Sequence, residues 1–116
     1  MQQTWTETYS RILIDFVTVP MGDDLCVVIR GGEVPHLGAV TVARAGGQVE
    51  GTLQAARYSE EEQDSIARGV AARLSERLHC NVVVCCGVHA DAITSDESEF
   101  IRMAAERFCS SYRNEW

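Results

Sequence analysis

The apolar residues of this chain change their spacing near residue 59, and this change constrains the fold more than any other feature. Before it, short runs rich in β-branched residues predict strands. These runs cover 4–19, 25–29 and 39–43, with a further short strand around 49–53 and a turn at 20–24. After it, apolar residues recur every four positions from Ile66 to Leu78, which predicts a helix with one apolar face.

A buried strand over 81–86 and a second helix follow. Apolar residues in this second helix again recur every four positions, from Phe100 to Tyr112. Two pairs have the spacing of a capping box, in which a hydroxyl residue and a glutamate three positions later close the helix start. These pairs are Ser59 with Glu62 and Thr94 with Glu97.

The resulting order is β-β-β-(β)-α-β-α. We expect an α+β fold over 1–116 as one domain, with a mainly antiparallel sheet and two helices packed on one face. His79, at the end of the first helix, suits a capping role at the negative pole of the helix dipole.

Charge and cysteine content narrow the class of protein. The net charge of −7 argues against binding nucleic acid through its phosphates. No signal peptide and no membrane span are expected, because the apolar runs are too short. The cysteines fall inside predicted strands and helices, as reduced core residues of a cytoplasmic protein do. They are Cys26, Cys80, Cys85, Cys86 and Cys109.

The first of two glycine–histidine segments spans 31–38 and follows a strand. Gly31 and Gly32 permit positive φ or a close backbone approach, and Pro35 stiffens the chain just before His36. Successive N–H groups in such a turn can bind an anion. A turn whose histidine bonds only to backbone explains the pattern equally well.

The second segment spans 87–94. Gly87 is expected to end the buried strand, and His89 lies on the strand face shared by Val83 and Cys85. The helix start after Thr94 offers N–H groups to a phosphate or carboxylate, although Thr94 alone is explained by capping.

Together the two segments suggest one binding site. His36 and His89 with the nearby Asp91 could bind an anion or a divalent metal. Arg30 and Arg44 are expected to bring positive charge near the loops. No nucleophile elbow, phosphate-binding loop or zinc-protease motif is present, so no catalytic residue is assigned and a binding protein is favoured over an enzyme.

The two motifs resemble those of the LpdD-like family, the prenylated flavin chaperones that are also named after gallate decarboxylase. The resemblance covers about 22–97, and the paired motifs are moderately specific. They read Gly31-Gly32-x-x-Pro35-His36-x-Gly38-x-Val40 and Gly87-x-His89-x-x-x-Ile93-Thr94.

This resemblance implies a chaperone that binds prenylated FMN, or FMN, and delivers it to a UbiD-like decarboxylase after a flavin prenyltransferase has made it. One wall of the flavin site would be formed by Gly31, Gly32, His36 and Gly38. The other would be formed by Gly87, His89 and Thr94, with Asp91 beside them. The segment 46–58 departs from the family pattern, so no contact is assigned there.

Two alternatives stay open. The chain could be a small metal-dependent enzyme with His36 and His89 as ligands, or an accessory protein of a decarboxylase that binds no cofactor. A homo-oligomer is plausible for so small a domain, because its sheet edges are open.

Overall fold

The computed structural model describes residues 1–33, 36–54 and 61–113, with only the backbone of 54 and 61–63. The elements are β1 (Gln3–Tyr9), β2 (Ile12–Met21), β3 (Asp24–Gly32), β4 (Ala39–Arg44), β5 (Gln48–Gln54), α1 (Glu61–Leu78), β6 (Val82–His89) and α2 (Ser95–Ser111). This order confirms the α+β class. The proposed capping pair of Ser59 and Glu62 lies outside the described side chains.

Six strands form one sheet in the order β1-β2-β3-β6-β4-β5. The central β3 and β6 are parallel, and the other neighbours are antiparallel. The sheet is therefore mainly antiparallel, as predicted. The parallel pair is possible because α1 lies between the two strands in sequence and provides the long crossover that parallel neighbours need.

The core lies between one face of the sheet and the two helices. Alternate strand residues such as Val27 and Ile29 point into it, and Phe16 of β2 stacks on Phe108 of α2 with ring centroids 4.6 Å apart. Leu74 of α1 is fully buried, as its place in the four-residue repeat predicts. Both helices therefore cover the same face, which confirms the predicted layers.

The prediction of one strand over 4–19 is wrong, because a hairpin divides this stretch into β1 and β2. Tyr9 pairs with Ile12, and the two residues between them make the turn. Ser10 has a φ of +55° there, a conformation for which glycine or asparagine is the usual sequence signal. Since neither residue is present, the local sequence conceals the turn.

The turn predicted at 20–24 is shorter than expected. Pro20 and Met21 belong to β2 and pair with β3, so the turn consists of Gly22 and Asp23. The last pair between β1 and β2 is Gln3 with Thr18, so β2 extends past its other neighbour at Pro20. A proline is tolerated at such an edge because its missing N–H breaks no ladder hydrogen bond.

The last strand is longer than predicted, since β6 continues through Gly87 and ends at His89. His89 is therefore a strand residue with a defined direction and not part of a loop. At the end of α1, His79 is exposed and has a φ of +55°, the left-handed conformation that commonly ends helices. No described helix is long and apolar enough to cross a membrane. The five cysteines are free thiols, buried or half-buried.

Candidate functional site

β3 and β6 end side by side at one edge of the sheet. The strands are parallel, and Gly32 lies opposite His89 in their register. Both glycine–histidine segments therefore start from the same place, as their positions after two strands led us to expect. We call this region, made of the described residues within 31–38 and 87–94, the β3–β6 edge.

The chain leaving β3 crosses over the end of β6 before it forms β4. The N–H of Glu33 donates to the carbonyl of His89 at 2.9 Å, and the N–H of Gly38 donates to the carbonyl of Cys86 at 2.8 Å. The crossing is required by the strand order, because β4 lies on the far side of β6 from β3. It brings His36 directly over the second segment.

Glycines make the crossing possible. A Cβ on Gly87 would lie 2.1 Å from the carbonyl oxygen of His36, and one on Gly32 would lie 2.1 Å from that of His89. Gly31 is equally close to the backbone of Leu13 in β2, at 2.2 Å. Close approach of the protein's own backbone therefore accounts for these three glycines, and the N–H of Gly38 is engaged in the crossing.

His36 and His89 form a contacting pair. Their ring centroids are 4.9 Å apart and the rings are tilted by 54°. The side chain of His89 is one-third exposed, and its Nε2 lies 3.4 Å from Oδ1 of Asp91, whose side chain is 88 % exposed. Two imidazoles and a carboxylate can thus meet a ligand from solvent, and neutral or charged imidazole N–H groups can donate to an anion.

Arg11 ties the whole edge together, and the sequence did not reveal it. Its guanidinium donates to Glu97 at 2.8 and 3.0 Å, to Glu33 at 2.6 Å and to the carbonyl of Asp91 at 2.6 Å. These partners lie 22 to 86 positions away along the chain, so no local motif could show them. Arg11 lies in the β1–β2 turn, which thereby clamps both segments.

The clamp has an electrostatic consequence for Glu97. Hydrogen bonds from Arg11 and from the backbone of Thr94 stabilise its carboxylate and lower its pKa to about 2. The carboxyl group thus stays ionised at any pH near neutrality and holds Arg11 against the edge. This carboxylate is buried, although sequence alone marked it only as a helix cap.

Thr94 is the N-cap of α2, as predicted. Its hydroxyl accepts from the N–H of Glu97 at 3.1 Å, and its own N–H donates to the Glu97 carboxylate at 2.9 Å. α2 belongs to the helical layer, whereas alternation along β6 directs His89 to the opposite face of the sheet. The structure therefore brings His36, His89 and Asp91 together, with Thr94 on the other side of the edge.

The two arginines expected near the loops have different positions. Arg30 shares the sheet face of His89, pairs in register with Gly87 and lies 3.6 Å from Asp15. Arg44 ends β4 at the opposite side of the sheet and pairs with Glu50 at 2.8 Å. The prediction is wrong for Arg44, because β4 runs antiparallel to β6 and carries it away from the β3–β6 edge.

Metal ligands are a separate question. Within 1–33, 36–54 and 61–113, no group of three or more His, Cys, Asp or Glu side chains is arranged to hold a metal ion. The arrangement at the β3–β6 edge is that of hydrogen-bond donors around an exposed histidine pair.

Comparison with known proteins gives the chain a family. The model of the prenylated flavin chaperone LpdD-like domain matches residues 8–115. No curated protein is significantly similar in sequence. Among solved structures, a chain from a chaperone complex for yeast 20S proteasome assembly has the same fold, with a TM-score of 0.65 at 13 % identity. The similarity covers 95 % of this chain and 91 % of that one.

Proposed function

The chain belongs to the prenylated flavin chaperone LpdD-like family, and we propose that it holds prenylated FMN at the β3–β6 edge and delivers it to a UbiD-like decarboxylase. The observation that carries this proposal is the contact between His36 and His89, 4.9 Å apart, at the point where two parallel strands end. Ligands commonly bind at the carboxyl ends of such strands.

The donors at the edge fit a phosphate. His36 and His89 offer imidazole N–H groups, and Arg30 on the same face offers a guanidinium. The side chain of Arg30 is 60 % exposed, and its single ion pair with Asp15 is long, at 3.6 Å. It is therefore available to an anionic ligand, which eases the binding of a phosphate dianion to an acidic protein.

The remaining side chains fit a ring system. Val28 and Cys85 pair across β3 and β6 on the face of His89, and both are half-buried. They offer an apolar surface next to the donors. The extra five-carbon unit of a prenylated flavin could gain ~2–4 kcal/mol there, at ~0.8 kcal/mol for each buried CH₂.

In this proposal the chain's residues bind and orient the cargo, and none acts as a catalyst. Prenylated FMN supplies its chemistry to the decarboxylase once delivered. We assign the direct contacts to His36 and His89, with Asp91 orienting His89. Gly31, Gly32, Gly38 and Gly87 shape the wall on which the cargo rests, and Thr94 holds the helix start behind it.

The proposal is tested by fluorescence titration of the purified chain with prenylated FMN and with FMN. His36→Ala should weaken binding about tenfold or more, since a hydrogen bond to a charged group contributes about 1.5–3 kcal/mol. His79→Asn is the matched control, because His79 is exposed at the end of α1 and asparagine tolerates its left-handed backbone. Equal binding by His36→Ala and the parent would refute the site.

Delivery needs its own assay. The loaded chain should restore activity to a cofactor-free UbiD-like decarboxylase faster than the same amount of free prenylated FMN does. If the chain binds prenylated FMN yet gives no faster activation, the cargo assignment holds and the delivery step is wrong.

A divalent metal at the same edge is the second candidate. It is favoured by the approach of Asp91 to His89 at 3.4 Å, next to the second imidazole of His36. Elemental analysis of the purified chain, followed by titration after chelation, separates the two. A bound stoichiometric metal whose removal abolishes flavin binding would make the metal a bridge to the phosphate.

A further inference from the structure

One face of the sheet is apolar and carries no described helix. It is formed by the strand residues that alternate with the core positions, and we call it the open face. Its exposed members include Leu13 at 47 %, Val42 at 45 % and Leu53 at 65 %. Between them lie further apolar residues, mostly half-buried: Val17, Cys26, Val28, Val40, Val83 and Cys85.

These apolar residues form a continuous surface across strands. Val40 pairs with Cys85, and Cys85 pairs with Val28 on the next strand. Isolated exposed apolar side chains are ordinary, but a contiguous patch of several hundred Å² marks an interaction surface. A patch that spans neighbouring strands of the sheet belongs to the second kind.

The charges of the open face favour a neutral partner. Asp15 and Arg30 lie within it and pair with each other at 3.6 Å, while Asp15 also accepts from Thr6 at 2.7 Å. The chain's net charge of −7 therefore comes from other surfaces. A strongly basic partner finds no excess of carboxylates here, whereas a second open face is apolar and balanced in the same way.

The size of the face is sufficient for a dimer. Six strands about 4.8 Å apart and about seven residues long, at ~3.3 Å per residue, give a face of roughly 650 Å². Two such faces would bury about 1,300 Å², within the range of ~1,200–2,000 Å² typical of stable specific interfaces.

We propose that the occupant of the open face is a second copy of this chain, related by a two-fold axis, so that two sheets pack face to face with the helices outside. In a two-fold interface the same patch serves both copies, which a self-complementary apolar face permits. The β3–β6 edge lies at the rim of this interface, because His89 occupies the last position of β6 on the open face.

The oligomeric state tests the proposal directly. Sedimentation equilibrium of the full chain over a concentration series should give twice the 12.8 kDa chain mass. Val42→Glu and, independently, Leu13→Glu should raise the dissociation constant by ~100-fold or more, because each places two uncompensated charges in the interface. Met103→Glu is the control, since Met103 is 37 % exposed on α2, away from the open face.

Thiol reactivity locates the interface. Cys26 and Cys85 lie on the open face and are half-buried in one copy, whereas the other three cysteines are buried. Two thiols should react with a maleimide at least ~10-fold faster in Val42→Glu than in the parent, provided circular dichroism shows both folded. Leu13→Glu gives the same comparison should Val42→Glu fail to fold.

Two results would overturn the proposal. One is a parent chain that stays monomeric at every concentration, which would leave the face to a different protein. The other is a dimer that survives both substitutions with unchanged thiol reactivity. Neither result depends on flavin binding, so the dimer and the proposed function can fail separately.

Discussion

Gly87→Ala should disrupt the β3–β6 edge while leaving the hydrophobic core intact. The added Cβ would lie 2.1 Å from the carbonyl oxygen of His36 and 2.7 Å from its carbonyl carbon. Ordinary contacts need about 3.5 Å, so the segment around His36 must move by more than about 1 Å. Backbone atoms cannot rotate away as a side chain does, and the crossing must lift from β6.

The expected cost follows from the contacts that are lost. Overpacking costs ~1–3 kcal/mol, and loss of the hydrogen bond from Gly38 to Cys86 adds about 1 kcal/mol. We therefore expect Gly87→Ala to lower the free energy of unfolding by about 2–4 kcal/mol. It should also separate His36 from His89 and weaken the binding of prenylated FMN about tenfold or more.

Urea denaturation and the flavin titration measure both effects. Gly51→Ala is the matched control, since Gly51 also lies in a strand and a Cβ there meets nothing within 4 Å. It carries the same change in unfolded-chain entropy without the collision. If Gly87→Ala unfolds at the same urea concentration as Gly51→Ala and binds prenylated FMN normally, the reasoning about the crossing is wrong.

Three further changes test other parts of the structure. Leu74→Ala should lower the free energy of unfolding by ~2–5 kcal/mol in urea denaturation by leaving a cavity under α1, with flavin binding by the folded fraction unchanged. Gly69→Ala should raise the melting temperature, by up to ~1 kcal/mol of stability, since α1 leaves space for the methyl group. Arg11→Gln should destabilise the chain at neutral pH, with faster amide exchange at the β3–β6 edge. Because the pKa of Glu97 is lowered to about 2, this stabilisation is present above about pH 4.5 and lost towards pH 2. Urea denaturation over that range should therefore show parent and Arg11→Gln converging in acid, and a constant difference would contradict the clamp.

Local patterns determined the elements whose signals are short-range. The four-residue repeat identified both helices, and the spacing of Thr94 and Glu97 identified the start of α2, because a capping box involves only neighbouring residues. The runs of β-branched residues located the later strands to within a few positions. The same local view merged β1 with β2, because the turn at Ser10 uses a left-handed residue that is not glycine.

The site was only half visible in the sequence. Histidines placed after two strands were enough to predict that His36 and His89 meet, provided that the strands were parallel neighbours. The insertion of β6 between β3 and β4 was decided by tertiary structure, and with it the crossing that presses His36 onto Gly87. Strand order depends on which faces bury together, and no local spacing encodes it.

Arg11 and Arg44 show the same division. Both are charged residues beside strands, yet one clamps the β3–β6 edge and the other lies at the far side of the sheet. The side of the sheet to which a residue belongs depends on the direction of its strand, which follows from pairing with partners distant in sequence. The sequence alone therefore determined the elements and the histidine motifs, while the tertiary structure decided which charges reach them, because ion pairs form between residues that only the folded sheet brings together.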